Sequence, residues 1–392
     1  MVADVIIIGG GVVGSSIAYH LLEDGFSGRV VVIERDPTYA RASSSLAMGG
    51  IRQQFSSALN VRLAQFSIAF YSDFDHRFGL KGSAAAAFRR RGYLFLVDSG
   101  NRERFETRIT KQRTLGVSVS RLSVADLERV VPGLVVDDLE FGVLGPNDGY
   151  ANPKALLAGF RRGAEAAGAE FVTGAVTAIH RNGNRITGVE VDGMDRVNAA
   201  VVVNAGGPYA ARIAKLAGVL IPVQPVRQQL FRAFLRTPAP KQHPMIVDPS
   251  GVHWRQENTE DTNEQGRIIV ACTKLDEPPG ENFACDMSRW EQEFFPPVRR
   301  RLPQHSAYTH VEGWSGLYEM TPDHNPVLGP VPSCPGFLLA NGFSGHGLMM
   351  APATGKALSE FIRLNRCETF DLTPLSITRF DNNRLFWDDA ML

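Results

Sequence analysis

Residues 9–14 read Gly-Gly-Gly-Val-Val-Gly, a G-x-G-x-x-G run whose surroundings restrict the fold more than any other stretch. The preceding ADVIIIGG reads as a buried parallel strand, GSSIAYHLLEDG as a helix and GRVVVIERD as the next strand. Together they make a βαβ opening. Within it Gly9 permits a tight turn, Gly11 lets the backbone approach a pyrophosphate, and Gly14 lets the helix pack on the strand. Val12 and Val13 stand at the helix N-terminus, where free N–H groups and positive potential favour phosphates. Glu34 closes the second strand, 20 residues after Gly14. A carboxylate there accepts hydrogen bonds from both ribose hydroxyls and repels a 2′-phosphate.

A chain of 392 residues suits two domains, possibly interwoven. After a helical stretch from 60 to 78 come YLFLVDS, helical patterns near 101–116 and 123–130, and the turn-rich loop FGVLGPNDGYANP. A Pro-started helix, PKALLAGFRRGAEAAGA, precedes EFVTGAVTAIHRN, RITGVEVDG and RVNAAVVVNAGG. Short apolar runs between 222 and 311, including QQLFRAFL, MIVDP, GVHWRQE and GRIIVACT, predict a mainly antiparallel sheet. GFLLANGFSGHG followed by LMMAPATGKALSEFIRLN returns to strand-then-helix order. The expected class is α/β with an α+β second domain. Residues 1–80, 150–215 and 315–392 form a Rossmann-like nucleotide domain, interwoven with a substrate domain from 81–149 and 216–314.

Charge excludes several function classes. Forty-one basic residues balance 41 acidic ones, so no nucleic-acid surface is expected. FRRRGY at 88–93 is either a partner patch or a solvated turn. Cys272, Cys285, Cys334 and Cys367 form no CxxC, which fits a reducing compartment without a disulfide framework or a metal site. No run approaches the ~18 apolar residues of a membrane span, and Asp4 before VIIIGG argues against a signal peptide. A soluble cytoplasmic protein is the expectation.

Glycine-rich turns recur in VVVNAGGPYA at 201–210 and in ANGFSGHGLMMAP. Glycines in three separate places, each admitting backbone close to a ligand, favour the larger FAD over NAD. With GGGVVGSSIAYHL, VVVIERD, ASSSLAMGGIRQQF and TPDHNPVLGP, these segments resemble the D-amino-acid oxidase superfamily of FAD enzymes. The resemblance is strongest to the branch of sarcosine oxidase, sarcosine dehydrogenase and dimethylglycine dehydrogenase.

That resemblance assigns roles. Glu34 and Arg35 hold the adenosine ribose region; Ser43, Ser44 and Ser45 meet the pyrophosphate and ribityl chain; Gly49, Gly50 and Ile51 pass beside the isoalloxazine. Val176 contacts the adenine through its backbone, and Ala205 and Gly206 cover the dinucleotide. Gly342, Phe343, Gly345, His346, Gly347 and Leu348 surround the pyrimidine end of the flavin. Arg52 emerges over the flavin to bind a substrate carboxylate, for which its planar fork is suited; the alternative is a pair with a structural acid. Tyr318 lines the same pocket or packs in the core. His253 and Arg255, two apart on a strand, share one side and face the pocket or away from it. Lys274 is either the lysine that promotes reaction with oxygen or a solvated one.

Two departures from the family pattern matter. Gly316 stands where the monomeric sarcosine oxidases carry a flavin-tethering cysteine, and 43–54 holds no histidine, so FAD is expected to bind non-covalently. Met349 replaces a carboxylate-binding lysine, which implies a substrate larger or more apolar than sarcosine. The expected reaction is oxidation of the C–N bond of a secondary or tertiary amine, an N-substituted amino acid, with oxygen or an electron-carrier protein as acceptor. His346 is a flavin neighbour and possible proton shuttle. The rivals are oxidation of a D-amino acid, opine or hydroxy acid on the same fold, and a non-catalytic flavin-stabilised assembly factor.

Overall fold

Val5, Ile7, Val30 and Val32 point to one side of a sheet, and Ile6, Ile8, Val31 and Ile33 to the other. Both sides are buried, which is why these strands read as unbroken apolar runs. The computed structural model describes residues 1–86, 88–237, 242–257, 266–273, 276–381 and 383–389. It orders this six-stranded sheet as Val327–Pro330, Phe337–Asn341, Val201–Asn204, Val5–Ile8, Val30–Glu34 and Glu170–Thr173. Neighbours run parallel except in the outermost hairpin. Helices Val12–Glu23, Pro153–Ala166 and Gly347–Leu364 pack on one side. An antiparallel three-stranded sheet, Val176–Asn182, Arg185–Val191 and Val197–Asn198, covers the other.

A second, eight-stranded sheet runs Tyr308–Met320, Gln224–Leu235, Arg267–Cys272, Val252–Gln256, Met245–Val247, Tyr93–Asp98, Leu139–Gly145 and Ser120–Leu122. It is antiparallel except where Met245–Val247 meets Tyr93–Asp98. Leu94, Leu96, Phe231, Trp254 and Val270 pack beneath it with Trp290, Phe294 and Val298. Tyr93, Phe95 and Met245 belong instead to the core shared with the first sheet's helices. The expected mixed α/β architecture therefore holds, and the interval between the two sheets is where a ligand can lie.

Local expectations differ from the structure at four places. The helix over 60–78 is two, Ala58–Ser72 and Phe74–Arg77, broken at Asp73. EFVTGAVTAIHRN splits at Gly174, its halves serving different sheets. FPPVRRR, within a region read as strands, is the helix Phe295–Arg301, which continues directly from the π-helical turn Trp290–Phe294. A boundary at 315 would fall inside the strand Tyr308–Met320. Among the described residues no helix is long and apolar enough to cross a membrane.

Candidate active site

The turn after the first strand is built on glycine geometry. Gly9 has φ +101°, and a Cβ there would sit 2.4 Å from the Ala205 carbonyl oxygen. At Gly14 a Cβ would meet the Gly9 carbonyl oxygen at 1.9 Å, so it fixes the turn and lies away from any ligand. The Val12 N–H donates to Ser44 Oγ at 3.0 Å, joining the first helix to the short helix Ser43–Leu46. Glu34 accepts from Gly10 N through Oε2 (2.8 Å) and from Asp36 N through Oε1 (2.9 Å), and each oxygen keeps a further lone pair. Arg35 stacks on the ring of Tyr209 at 3.6 Å.

From this corner a cavity of about 510 Å³ runs between the two sheets. Glu34, Arg35 and Val176 line one end; Gly9, Gly11, Val12, Val13, Ala205 and Gly206 follow. Ser43, Ser44, Gly49 and Gly50 lead on to Arg52, His253, Tyr318, Phe343, Gly345, His346, Gly347 and Leu348. A second helix N-terminus opens here, since Gly347–Leu364 begins without a side-chain cap. Two helix N-termini thus converge on one elongated cavity. The residues fit a stretched dinucleotide: the glycine turn and Val12–Glu23 terminus would hold its pyrophosphate, and the second terminus the electron-rich edge of a flavin.

At that far end Arg52 is fully buried. Nη1 donates to the Gln54 carbonyl oxygen (2.7 Å), Nη2 lies 3.3 Å from His346 Nε2, and the guanidinium stacks 4.4 Å above Phe55. An arginine only donates, so His346 accepts at Nε2, and Nδ1 carries the proton toward the Phe343 carbonyl at 3.3 Å. Burial, and then the neighbouring Arg52, push the His346 imidazole down to about 3. It is neutral at working pH. Burial also pushes His253 down to about 4 and raises the phenols of Tyr93 and Tyr318.

Several expected site residues lie elsewhere. His253 and Arg255 do share one side of their strand, but Arg255 does not line the cavity. Its Nε donates to the Met48 carbonyl (2.7 Å) and it stacks over Tyr150, so it braces the segment before Gly49. Strand parity gives the side, not the depth. Ser45 and Ile51 are turned away: Ser45 N closes the turn on Ala42 O, and Ile51 pairs with Gly149. Gly342, at φ +75°, donates its N–H to Glu319 Oε2 at 2.9 Å and does not reach the cavity wall. Lys274 lies outside the described residues.

Other wall residues escaped the sequence reading. Tyr93, Met48, Met245, Leu230 and Glu319 line the cavity, and Asp148 stands buried behind Arg52. Burial raises the carboxyls of Glu319 and Asp148 to about 7 each. Glu319, beside Tyr318 in GLYEMTP, and Met48, directly before Gly49, had a local signal. Gly316 lines the cavity too, where a Cβ would be 3.3 Å from that of Leu46.

Comparison with known proteins agrees with this geometry. The model of the family described as FAD dependent oxidoreductase matches residues 4–361. The chain is 32% identical to FAD-dependent oxidoreductase domain-containing protein 1 of Bos taurus, over 96% of this chain and 85% of that one. It is 25% identical to the mitochondrial dimethylglycine dehydrogenase of Homo sapiens, over 96% of this chain but 44% of the longer relative. The crystal structure of L-proline dehydrogenase from P. horikoshii superposes with a TM-score of 0.88 at 27% identity, covering 98% of this chain and 99% of that one.

Proposed function

Because the chain belongs to the FAD dependent oxidoreductase family, with FAD as its cofactor, we propose that it oxidises the C–N bond of an N-substituted amino acid. The substrate is a secondary or tertiary amine with an apolar substituent. The observation that carries this reading is Arg52, a permanent cation fully buried beside His346 in the wall of a cavity that Tyr318 also lines. Such a guanidinium matches a carboxylate by two parallel N–H donors and holds the adjacent C–H in one orientation. Met48, Met245, Met349 and Leu230 on the wall of the same cavity suit an apolar substituent. The names of dimethylglycine dehydrogenase and L-proline dehydrogenase belong to enzymes of N-substituted amino acids, which favours the same class.

Bound FAD supplies the hydride acceptor. The chain's part is to bind, orient and keep charge in place. Arg52 fixes the carboxylate, and neutral His346 adds no second positive charge. The dry wall together with the Arg52 cation favours the neutral amine, the only form with a lone pair to expel hydride from carbon. Loss of hydride leaves an iminium ion, which water converts to a carbonyl compound and the shorter amine. Oxygen or an electron-carrier protein then takes the electrons. With glycine at 316 and no histidine in 43–54, FAD is held without a covalent link, so acid precipitation should leave the yellow colour in solution. Colour retained in the pellet would place a tether, for which Cys272 on the cavity wall is the cysteine at hand.

The test is anaerobic mixing of the yellow protein with N-alkyl amino acids, D-amino acids and 2-hydroxy acids, following flavin absorbance at about 450 nm. Bleaching by the N-alkyl amino acids is the expected result. Bleaching by hydroxy acids or primary D-amino acids alone would transfer the reading to those substrates, and inertness to every compound would favour a non-catalytic role.

A further inference from the structure

Arg52 follows the two-residue strand Gly50–Ile51, whose antiparallel partner is Gly149–Tyr150, with Gly50 opposite Tyr150 and Ile51 opposite Gly149. Extending that register by one residue sets Arg52 against Asp148. Asp148 is fully buried in the turn 146–148 between the strands Leu139–Gly145 and Gly149–Tyr150. Its Oδ1 accepts from Gln53 N at 3.0 Å and its Oδ2 from Gln54 Nε2 at 3.0 Å. The same Gln54 amide nitrogen donates to the Tyr93 carbonyl at 3.0 Å. Between these anchors the chain makes a three-residue turn, with Phe55 N donating to Gln53 O at 2.7 Å. The turn aims the Gln54 carbonyl back at Arg52 Nη1, 2.7 Å away.

Two glycines make room for this arrangement. A Cβ at Gly145 would stand 2.3 Å from Asp148 Oδ2 and 2.6 Å from Gln54 Nε2, and one at Gly149 would stand 1.8 Å from the Arg89 carbonyl oxygen. A buried carboxylate is expensive unless its oxygens are met by donors, and this one is met by the two residues that follow Arg52. A loop that only needed closing could have used an uncharged side chain.

We propose that Asp148 is a positioning residue of the substrate-carboxylate site: through Gln53 and Gln54 it fixes the carbonyl that holds Arg52 Nη1, and so sets the orientation of the guanidinium in the cavity wall. This rests on the role given to Arg52 above. It differs from a merely structural role in one respect. Loss of the clamp misaims a carboxylate-binding fork, so it should harm acids and spare neutral ligands of the same shape.

The experiment uses the FAD-loaded full chain and two probes, pyrrole-2-carboxylate and its amide, whose binding is read from the perturbed flavin spectrum. Asp148→Asn keeps the shape but turns an N–H toward Gln53 N or Gln54 Nε2, losing an acceptor. Affinity for the acid should fall about tenfold, the worth of one well-placed hydrogen bond, with affinity for the amide unchanged. In an Arg52→Gln background the same substitution should add nothing, because its effect passes through Arg52. Equal loss for acid and amide, no loss, or full additivity with Arg52→Gln would overturn the proposal. Should Asp148→Asn fail to retain FAD, Gln54→Met removes the clamp from its other side and must give the same selective loss. If the unsubstituted protein itself does not prefer the acid, the role of Arg52 falls first and this inference with it.

Discussion

Lysine at position 52 would keep the charge and lose the fork. Arg52 donates from one nitrogen to Gln54 and approaches His346 with another, and a point charge on a flexible stem cannot reproduce that planar, several-sided geometry. Arg52→Lys should raise KM for a carboxylate substrate about 10- to 100-fold, with a smaller effect on kcat and with FAD retained. Steady-state kinetics on the yellow protein decide it, and an unchanged KM would remove Arg52 from the substrate site. Much at this scale was legible beforehand. Arg52, Tyr318 and His346 lie in segments that carry the family resemblance, and the structure places all three on the wall of one cavity. Asp148 and Gln54 were not legible, because their contact joins residues 94 apart through a two-residue strand pairing that leaves no periodic trace.

The helix Gly347–Leu364 carries Pro352 in its interior, and lies against Val12–Glu23 and Ala58–Ser72. Proline lacks the N–H that would bond the carbonyl four residues earlier, that of Leu348. Tyr71, buried on Ala58–Ser72, supplies the missing donor: its hydroxyl donates to Leu348 O at 2.6 Å. Leu348 lines the cavity, so a contact that repairs a helix also holds a wall of the site. Tyr71→Phe leaves this carbonyl buried and unmet, and should cost about 1–3 kcal/mol of stability. Urea denaturation should show an earlier midpoint at unchanged slope; an unchanged midpoint would mean that the proline break needs no repair. Helix Gly347–Leu364 was readable despite its proline because apolar spacing continues through it. The helix Phe295–Arg301 was not, since two prolines close together look like a breaker, yet here they follow directly on the π-helical turn Trp290–Phe294.

For the molecule as a whole, two sheets facing a common interval were foreseeable from an apolar N-terminal βαβ unit and later alternating strands. The crossing of Gly174 from one sheet to another was not, because parity carries no information about which sheet a strand joins. Burial also fixes a pH response. His20, His243 and His253 are pushed down to about 4, and His346 to about 3, from an ordinary 6.5. Unfolded imidazoles take protons near 6.5 and native ones resist, so their contribution is present above 6.5 and lost as pH falls toward 4. Asp148 and Glu319, raised to about 7, act oppositely, since the native state holds their protons longer as pH rises. Four histidines outweigh two carboxyls, and the Tm of the FAD-loaded protein should drop by about 5 °C or more between pH 6.5 and 4. A flat profile would contradict the burial of these imidazoles.

One titration reaches the centre of the account. The FAD-loaded protein is mixed without oxygen with a matched pair, L-proline and L-prolinamide, and with the corresponding N-methylglycine pair. Bleaching of the flavin at low concentration by an acid, with its amide needing at least about tenfold more, is predicted from a buried guanidinium that binds the substrate carboxylate. Bleaching by acid and amide alike, or by neither member of either pair, would contradict it.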